Sequence, residues 1–283
     1  MRLPMLNQTE SNDYIRDLIL SDDKVLSAGK IGNSERIGLM QWSQDSLDEY
    51  GIENLHFNAG VYPPTVEILS NFCAKYAEAI RKINVFAQWI SDGLGGFVEA
   101  PIIDQLAPEA QRIHSRALEP FYHDNPWSSA LKGKRVLVVS PFERSITEQY
   151  EKREYLWENK NILPEFELLT LRTPMSAGIS TPEFRTWFAG LRFFKEQIEE
   201  KNPDFVIVGA GAWSLPIVAY CSELGIDALH MGGGTQILFG IKGKRWDEHD
   251  VISTFYNEHW VRPSDEEIPE RMENMRIDTG HYW

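Results

Sequence analysis

Cysteine is almost absent: Cys73 and Cys221 are the only two in 283 residues. That excludes a disulfide-stapled secreted scaffold and a thiolate-rich metal site. Both fall in helix-like patterns, where a free thiol behaves as a small buried hydrophobe. No apolar stretch reaches the ~18 residues a membrane span needs. The opening residues, Met1 to Glu10, are too polar and too few for a signal peptide. The expectation is a cytoplasmic protein that meets membranes only through partners. Positive charge is scarce too. With 28 Lys and Arg against 42 Asp and Glu, the net charge is −14. A broad basic face for nucleic acid or an anionic membrane is therefore excluded, although a small phosphate needs only a few local cations. There is no CxxC or HExxH zinc pattern, no Walker loop, no GxSxG elbow, no repeat and no low-complexity segment.

What is present is an alternation of strands and helices. Residues 11–20 read as an amphipathic helix and Lys24–Ile31 as a strand that runs into Gly32-Asn33-Ser34-Glu35 and a second helix. A helix is expected from Pro64 to about Ile83, a strand at Val85–Trp89, a glycine-rich break at Ser91–Gly96 and a helix over 102–118. Lys134–Ser140 is a continuous apolar run of the kind found in buried parallel strands. A helix over 145–159 and a strand at Phe166–Leu171 follow. Thr181 and Pro182 mark the start of a helix whose stripe carries Phe184, Trp187, Leu191, Phe194 and Ile198, and Asn202-Pro203 stops it. Phe205–Val208 and Ala228–Leu229 supply two more strands. The fold class is α/β, a Rossmann-like three-layer α/β/α arrangement with a mostly parallel sheet and helical additions at both ends. One domain is expected over 1–283. Its parts are an N-terminal strand–turn–helix portion (1–125), a nucleotide-binding half (130–260) and a tail (261–283).

In such sheets ligands sit at the carboxyl edge of the strands. The loops predicted there are Gly32–Glu35, Ser140–Phe142, Gly209–Trp213 and His230–Gln236, and they hold most of the unusual residues. Gly209-Ala-Gly211 is not a full dinucleotide fingerprint, because Ser214 stands where glycine or alanine is required. Gly232-Gly233-Gly234-Thr235-Gln236 is stronger, since three glycines carry an entropic penalty that a close backbone contact would justify. Lys242, Lys244 and Arg245 follow it as either a diphosphate-neutralising loop or a solvated basic one. Asn33 and Glu35 are spaced to hold Mg²⁺ or Mn²⁺ with phosphate oxygens. Glu35 alternatively serves as a base or caps the next helix. Asn257-Glu258-His259 is a second polar cluster. Glu35, His230 and Glu258 are the candidate acid–base residues. Gly32, Ser140 and the residues of the two glycine turns are the candidate ligand contacts.

Together these residues resemble bacterial proteins of the GT-D glycosyltransferase type, associated with capsule and surface-polysaccharide genes. The marks are Lys30-Ile-Gly32-Asn-Ser-Glu35, Asn58-Ala-Gly60-Val-Tyr62, Gly209-Ala-Gly211-Ala-Trp213, the run from His230 to Trp246 and Asn257-Glu-His-Trp260. The resemblance implies a nucleoside-diphosphate sugar as donor, a glycan or protein acceptor, and association with other glycan-assembly enzymes. It also implies an Asp-x-Glu metal motif, which is Asn33 and Glu35 here. The lost negative charge weakens a divalent site, and Lys242, Lys244 and Arg245 are candidates to replace the metal. Two other classes stay open: a non-catalytic nucleotide-binding or scaffold protein, and another Rossmann-like transferase such as a methyltransferase. The latter needs an acidic residue where His230 stands.

Overall fold

Strand residues separate by parity. In the run that ends at Ser140, Leu137 and Val139 bury on one face of the sheet while Val136 and Val138 bury on the other. Phe205 and Ile207 alternate with Val206 and Val208 in the same way. A sheet apolar on both faces needs helices on both, and the chain supplies them. The structure is a computed structural model that describes residues 3–21, 23–88, 99–177, 183–268 and 282–283. In chain order the elements are α1 (Gln8–Leu20), β1 (Ser27–Gly29), α2 (Asn33–Trp42), α3 (Glu49–Glu53), α4 (Val66–Ile80) and β2 (Val85–Gln88). Next come α5 (Ala100–Leu106), β3 (Gln111–His114), β4 (Arg135–Ser140), α6 (Glu143–Tyr150), α7 (Arg153–Leu156) and β5 (Glu167–Arg172). The last are α8 (Trp187–Lys201), β6 (Phe205–Val208), α9 (Ser214–Glu223), β7 (Asp227–His230) and α10 (Gly234–Leu238).

Among the described residues the sheet has seven strands in the order β3-β2-β1-β7-β6-β4-β5, and every pairing is parallel. The expected α/β class and layered architecture are therefore present, with the sheet wholly rather than mostly parallel. On one face pack α4, α8 and α9, through Phe72, Phe194 and Leu215 among others. On the other face pack α1, α6 and the segment around Trp127. The Trp187 and Trp213 rings stack with centroids 6.2 Å apart, and Phe194 meets Trp213 edge-on at 5.2 Å. Truncating a fully buried Trp213 would remove about 3–5 kcal/mol. Burial pushes the thiols of Cys73 and Cys221 up to about 12, as expected of inert core cysteines.

Two expectations need correction. Residues 102–118 are not one helix: α5 stops at Leu106, and Gln111–His114 becomes the edge strand β3. The expected helix over 145–159 is two short ones, α6 and α7. The starting signal at Thr181-Pro182 and the glycine-rich break at Ser91–Gly96 lie outside the described residues, as does Trp89. The described part of that later helix begins at Trp187, with the Thr186 side chain accepting a hydrogen bond from the Ala189 amide at 3.1 Å.

The order of the sheet makes a crevice. β1 and β7 are neighbours. The chain leaves β1 into α2, which buries Leu39 on the α4 face, and leaves β7 into α10, which buries Ile237 and Leu238 on the opposite face. Connections that diverge from adjacent parallel strands open a gap at their carboxyl ends.

Candidate functional site

That gap is a cavity of about 900 Å³. All four loops expected at the carboxyl edge contribute to its wall, through Gly32, Asn33 and Glu35, Ser140, Gly209 and Gly211, and His230 with Gly232 to Gln236. The register places Ala28 beside Leu229, so the chain beyond β1 and the end of β7 enter the cavity side by side. Lys30 and His230 consequently converge. A Cβ at Gly232 would stand 3.4 Å from Lys30 Cε and 3.5 Å from His230 Cε1. Gly232 also has φ +65°, a conformation other residues adopt at a cost. The two glycine turns touch: Gly209 faces Thr235 Oγ1 and the Gly232 carbonyl so closely that a Cβ there would lie 2.7 and 2.8 Å from them.

The electrostatics follow from burial. The Glu35 carboxyl is folded against Gly32, where a side chain at residue 32 would collide with it. Burial raises its pKa above the ordinary carboxylate value, and the Glu35 backbone amide partly offsets the rise. At His230, burial first and then the charge of Lys30 lower the imidazole to about 3. Its Nδ1 lies 3.2 Å from the Val208 carbonyl, which can only accept, so Nδ1 carries the proton and Nε2 keeps its lone pair. Burial also lowers the Lys30 ammonium, Glu119 counters this, and Arg245 lowers it further. The Lys30 Nζ to Glu119 Oε1 distance is 3.7 Å. Arg245 reaches the cavity wall, donates to the Tyr282 hydroxyl at 3.1 Å and lies over the rings of Trp246 and Tyr282. Thr235 Oγ1 and Gln236 Oε1 are buried without a hydrogen-bond partner among the described residues. Such groups are costly unless a ligand or water satisfies them.

Other expected residues lie elsewhere or have other partners. Glu258 is 86% exposed in its side chain, pairs with His259 at 3.5 Å and does not line the cavity. Its neighbour Asn257 instead ties to the carbonyls of Tyr155 and Leu156. Lys244 is exposed and Lys242 lies over the Tyr256 ring at 5.2 Å, and neither lines the cavity. Ser140 lines it, but its hydroxyl accepts from the Phe142 amide at 3.3 Å. Gln236 uses its amide to hold the carbonyls of Lys242 and Tyr282, which ties the basic loop to the turn. Sequence reasoning missed Lys30 and Glu119 as site residues. For Lys30 a signal existed: it sits at a predicted strand end, directly before the Gly32 turn. Glu119 had none, because β3 was not expected.

The Asn33–Glu35 pair does not fit a divalent cation. Asn33 is exposed, and its Oδ1 accepts from the Arg36 guanidinium at 2.8 Å, which places a positive charge where an ion would bind. Glu35 is buried, which penalises its ionised form, and its carboxyl is turned under Gly32, whereas a hard cation needs ionised, convergent oxygens. Among the described residues no group of three or more His, Cys, Asp or Glu is placed to hold a metal ion.

No protein-family model and no curated protein matches the sequence. Solved structures do match in shape. A structure of domain of unknown function 1792 aligns with TM-score 0.52 and 12% identity, over 94% of this chain and 93% of that one. Another, of the same domain and described as having a distinct glycosyltransferase fold, aligns with TM-score 0.50 and 12% identity over the same shares. The chain therefore has the α/β architecture of that glycosyltransferase fold, in agreement with the GT-D-like expectation. At this identity the likeness is one of fold, and chemistry has to be argued from the site.

Proposed function

We propose that the chain is a glycosyltransferase. It takes a sugar from a nucleoside-diphosphate sugar and passes it to a hydroxyl of a glycan or protein acceptor, in the synthesis of surface polysaccharide or glycoconjugate. The supporting observation is the crevice between β1 and β7, where two touching glycine turns, Lys30, Arg245 and the orphaned oxygens of Thr235 and Gln236 share one wall. Bare backbone at Gly209 and Gly232 lets the nucleotide approach closely, as a diphosphate in an α/β crevice requires. Thr235 and Gln236 accept hydrogen bonds from the donor. His230 stays neutral, and its Nε2 accepts from a donor hydroxyl.

Transfer breaks the bond between the anomeric carbon and the diphosphate oxygen, and the electron pair leaves with the diphosphate. The acceptor oxygen forms the new bond at that carbon and must lose its proton. Glu35 is the best-placed base of the three candidates: burial raises its basicity, whereas His230 has been made a poor base and Glu258 does not line the cavity. The Asn33–Arg36 bond also favours a second reading, a nucleotide-binding protein without turnover.

A thermal-shift screen against nucleoside diphosphates and their sugars tests the proposal. A ligand at 100 times its Kd stabilises by about 2.7 kcal/mol. Stabilisation by one nucleotide sugar, with release of its nucleoside diphosphate, is the expected outcome. Binding without release would favour the second reading, and a flat panel from folded protein would reject both.

A further inference from the structure

We infer that this site neutralises the donor diphosphate without a divalent cation, with Lys30 as the main charge and Arg245 as its partner. The inference rests on the nucleotide-sugar reading above and says which groups carry out its hardest electrostatic task. Two independent observations meet here. The first is the failure of the metal position. Asn33 lacks a charge and is bonded to Arg36, and the Glu35 carboxyl is turned under Gly32. A cation with two or more positive charges would have to displace a guanidinium and draw the Glu35 carboxyl out from under Gly32 before it bound.

The second is where the fixed cations stand. Lys30 leaves β1 one residue before the Ile31-Gly32 turn, and its ammonium comes within reach of the Gly232 turn, 3.8 Å from a Cβ built there. Its side chain is only 12% exposed. Removing an ammonium from water is expensive, and this one is held at the cavity wall beside the second glycine turn. Glu119 pairs with the ammonium at 3.7 Å and supports its charged form at the cavity wall. Arg245 lines the same cavity as Lys30, and the charge of each disfavours the other's, so an anion bound in that cavity relieves their repulsion. Lys242 and Lys244 contribute nothing comparable, because neither lines the cavity.

The chemical consequence is direct. When the bond from the anomeric carbon to the diphosphate oxygen breaks, the pair of electrons moves onto that oxygen, and Lys30 with Arg245 meets the charge. No group other than sugar donor and acceptor is consumed, and the acceptor proton goes to the base. A charge fixed in a site of low dielectric needs no reorganisation during the step, which is what makes such groups effective.

Isothermal titration of the full chain with UDP, GDP, ADP and inorganic pyrophosphate, in EDTA and in Mn²⁺, tests the assignment. Pyrophosphate reports the cation pair whatever the base. The expected result is binding in EDTA that Mn²⁺ does not improve. Lys30→Met should weaken it by about tenfold or more, as loss of a charge-assisted hydrogen bond implies. Arg245 is exposed, so Arg245→Met gives a second measure that does not depend on Lys30→Met folding, and it too should weaken binding. Binding that EDTA abolishes and Mn²⁺ restores would overturn the metal-free inference and leave the nucleotide reading standing. Unchanged affinity in both variants would overturn the assignment to Lys30 and Arg245. Failure of all four probes in both media would instead remove the nucleotide reading itself.

Discussion

At Glu35 a carboxyl lies against the Gly32 backbone in a wall that keeps most water from it. A group whose folded pKa is raised contributes stability that is complete below its unfolded pKa and is lost as pH rises through the folded value. Glu35→Gln should therefore raise Tm at pH 7.5, with the gap over wild type closing toward pH 4, and should slow transfer by about 10²–10⁴-fold. Thermal melts at the two pH values beside turnover rates check both halves. His230 has the opposite sign. Its folded pKa of about 3 lies below the ordinary imidazole value of 6.5, so its contribution is present above 6.5 and is lost as pH falls from there toward 3. The slope is about 1.4 kcal/mol per pH unit. His230→Asn should flatten the acid limb of a urea-stability profile over that window. Gly232→Ala should destabilise by about 1–2 kcal/mol through its positive φ and weaken nucleotide binding by crowding Lys30, which a paired denaturation and titration experiment reads.

Between residue and domain, β3 shows where a pattern misleads. Ile103, Leu106, Ala110, Ile113 and Ala117 follow one another at steps of three and four, the spacing of an amphipathic helix. In the structure Ile103 and Ala110 bury on one face of the sheet and Ile113 and Ala117 on the other. Pro108 interrupts the run and was the local signal for a break. What starts β3 is its parallel pairing with β2, and buried Arg112 closes the junction by donating to the Ala107 and Ala110 carbonyls and pairing with Asp104 at 3.2 Å. Arg112→Ala should destabilise by about 3 kcal/mol, since it strands those carbonyls and breaks the pair, and urea unfolding would measure it. By contrast α4 and α8 were legible because each packs one apolar stripe on the sheet, and β4 and β6 because both their faces are covered. The boundaries of α6 and α7 were not, because the chain turns at Glu151-Lys152 without a glycine or proline to mark it.

For the whole molecule, the crevice could be anticipated because strand–helix alternation implies a parallel sheet, and a parallel sheet puts its loops at one edge. Which basic residues reach it could not. Lys242 and Lys244 adjoin Arg245 in sequence, yet only Arg245 lines the cavity, while Lys30 arrives from the far end of the chain because β1 pairs with β7. Strand order is set by packing across the sheet and leaves no local trace. The same order brings Glu119 to Lys30 from the segment after β3. The molecule as a whole is acidic, and its few cavity cations stand out against a net charge of −14.

The most direct test is the release of nucleoside diphosphate from a panel of nucleotide sugars, by chain treated with EDTA and with water as the default acceptor. The expected result is slow release from one sugar donor, undiminished by EDTA and lost in Glu35→Gln. No release from any donor, by protein that stays folded, would contradict the proposed transfer.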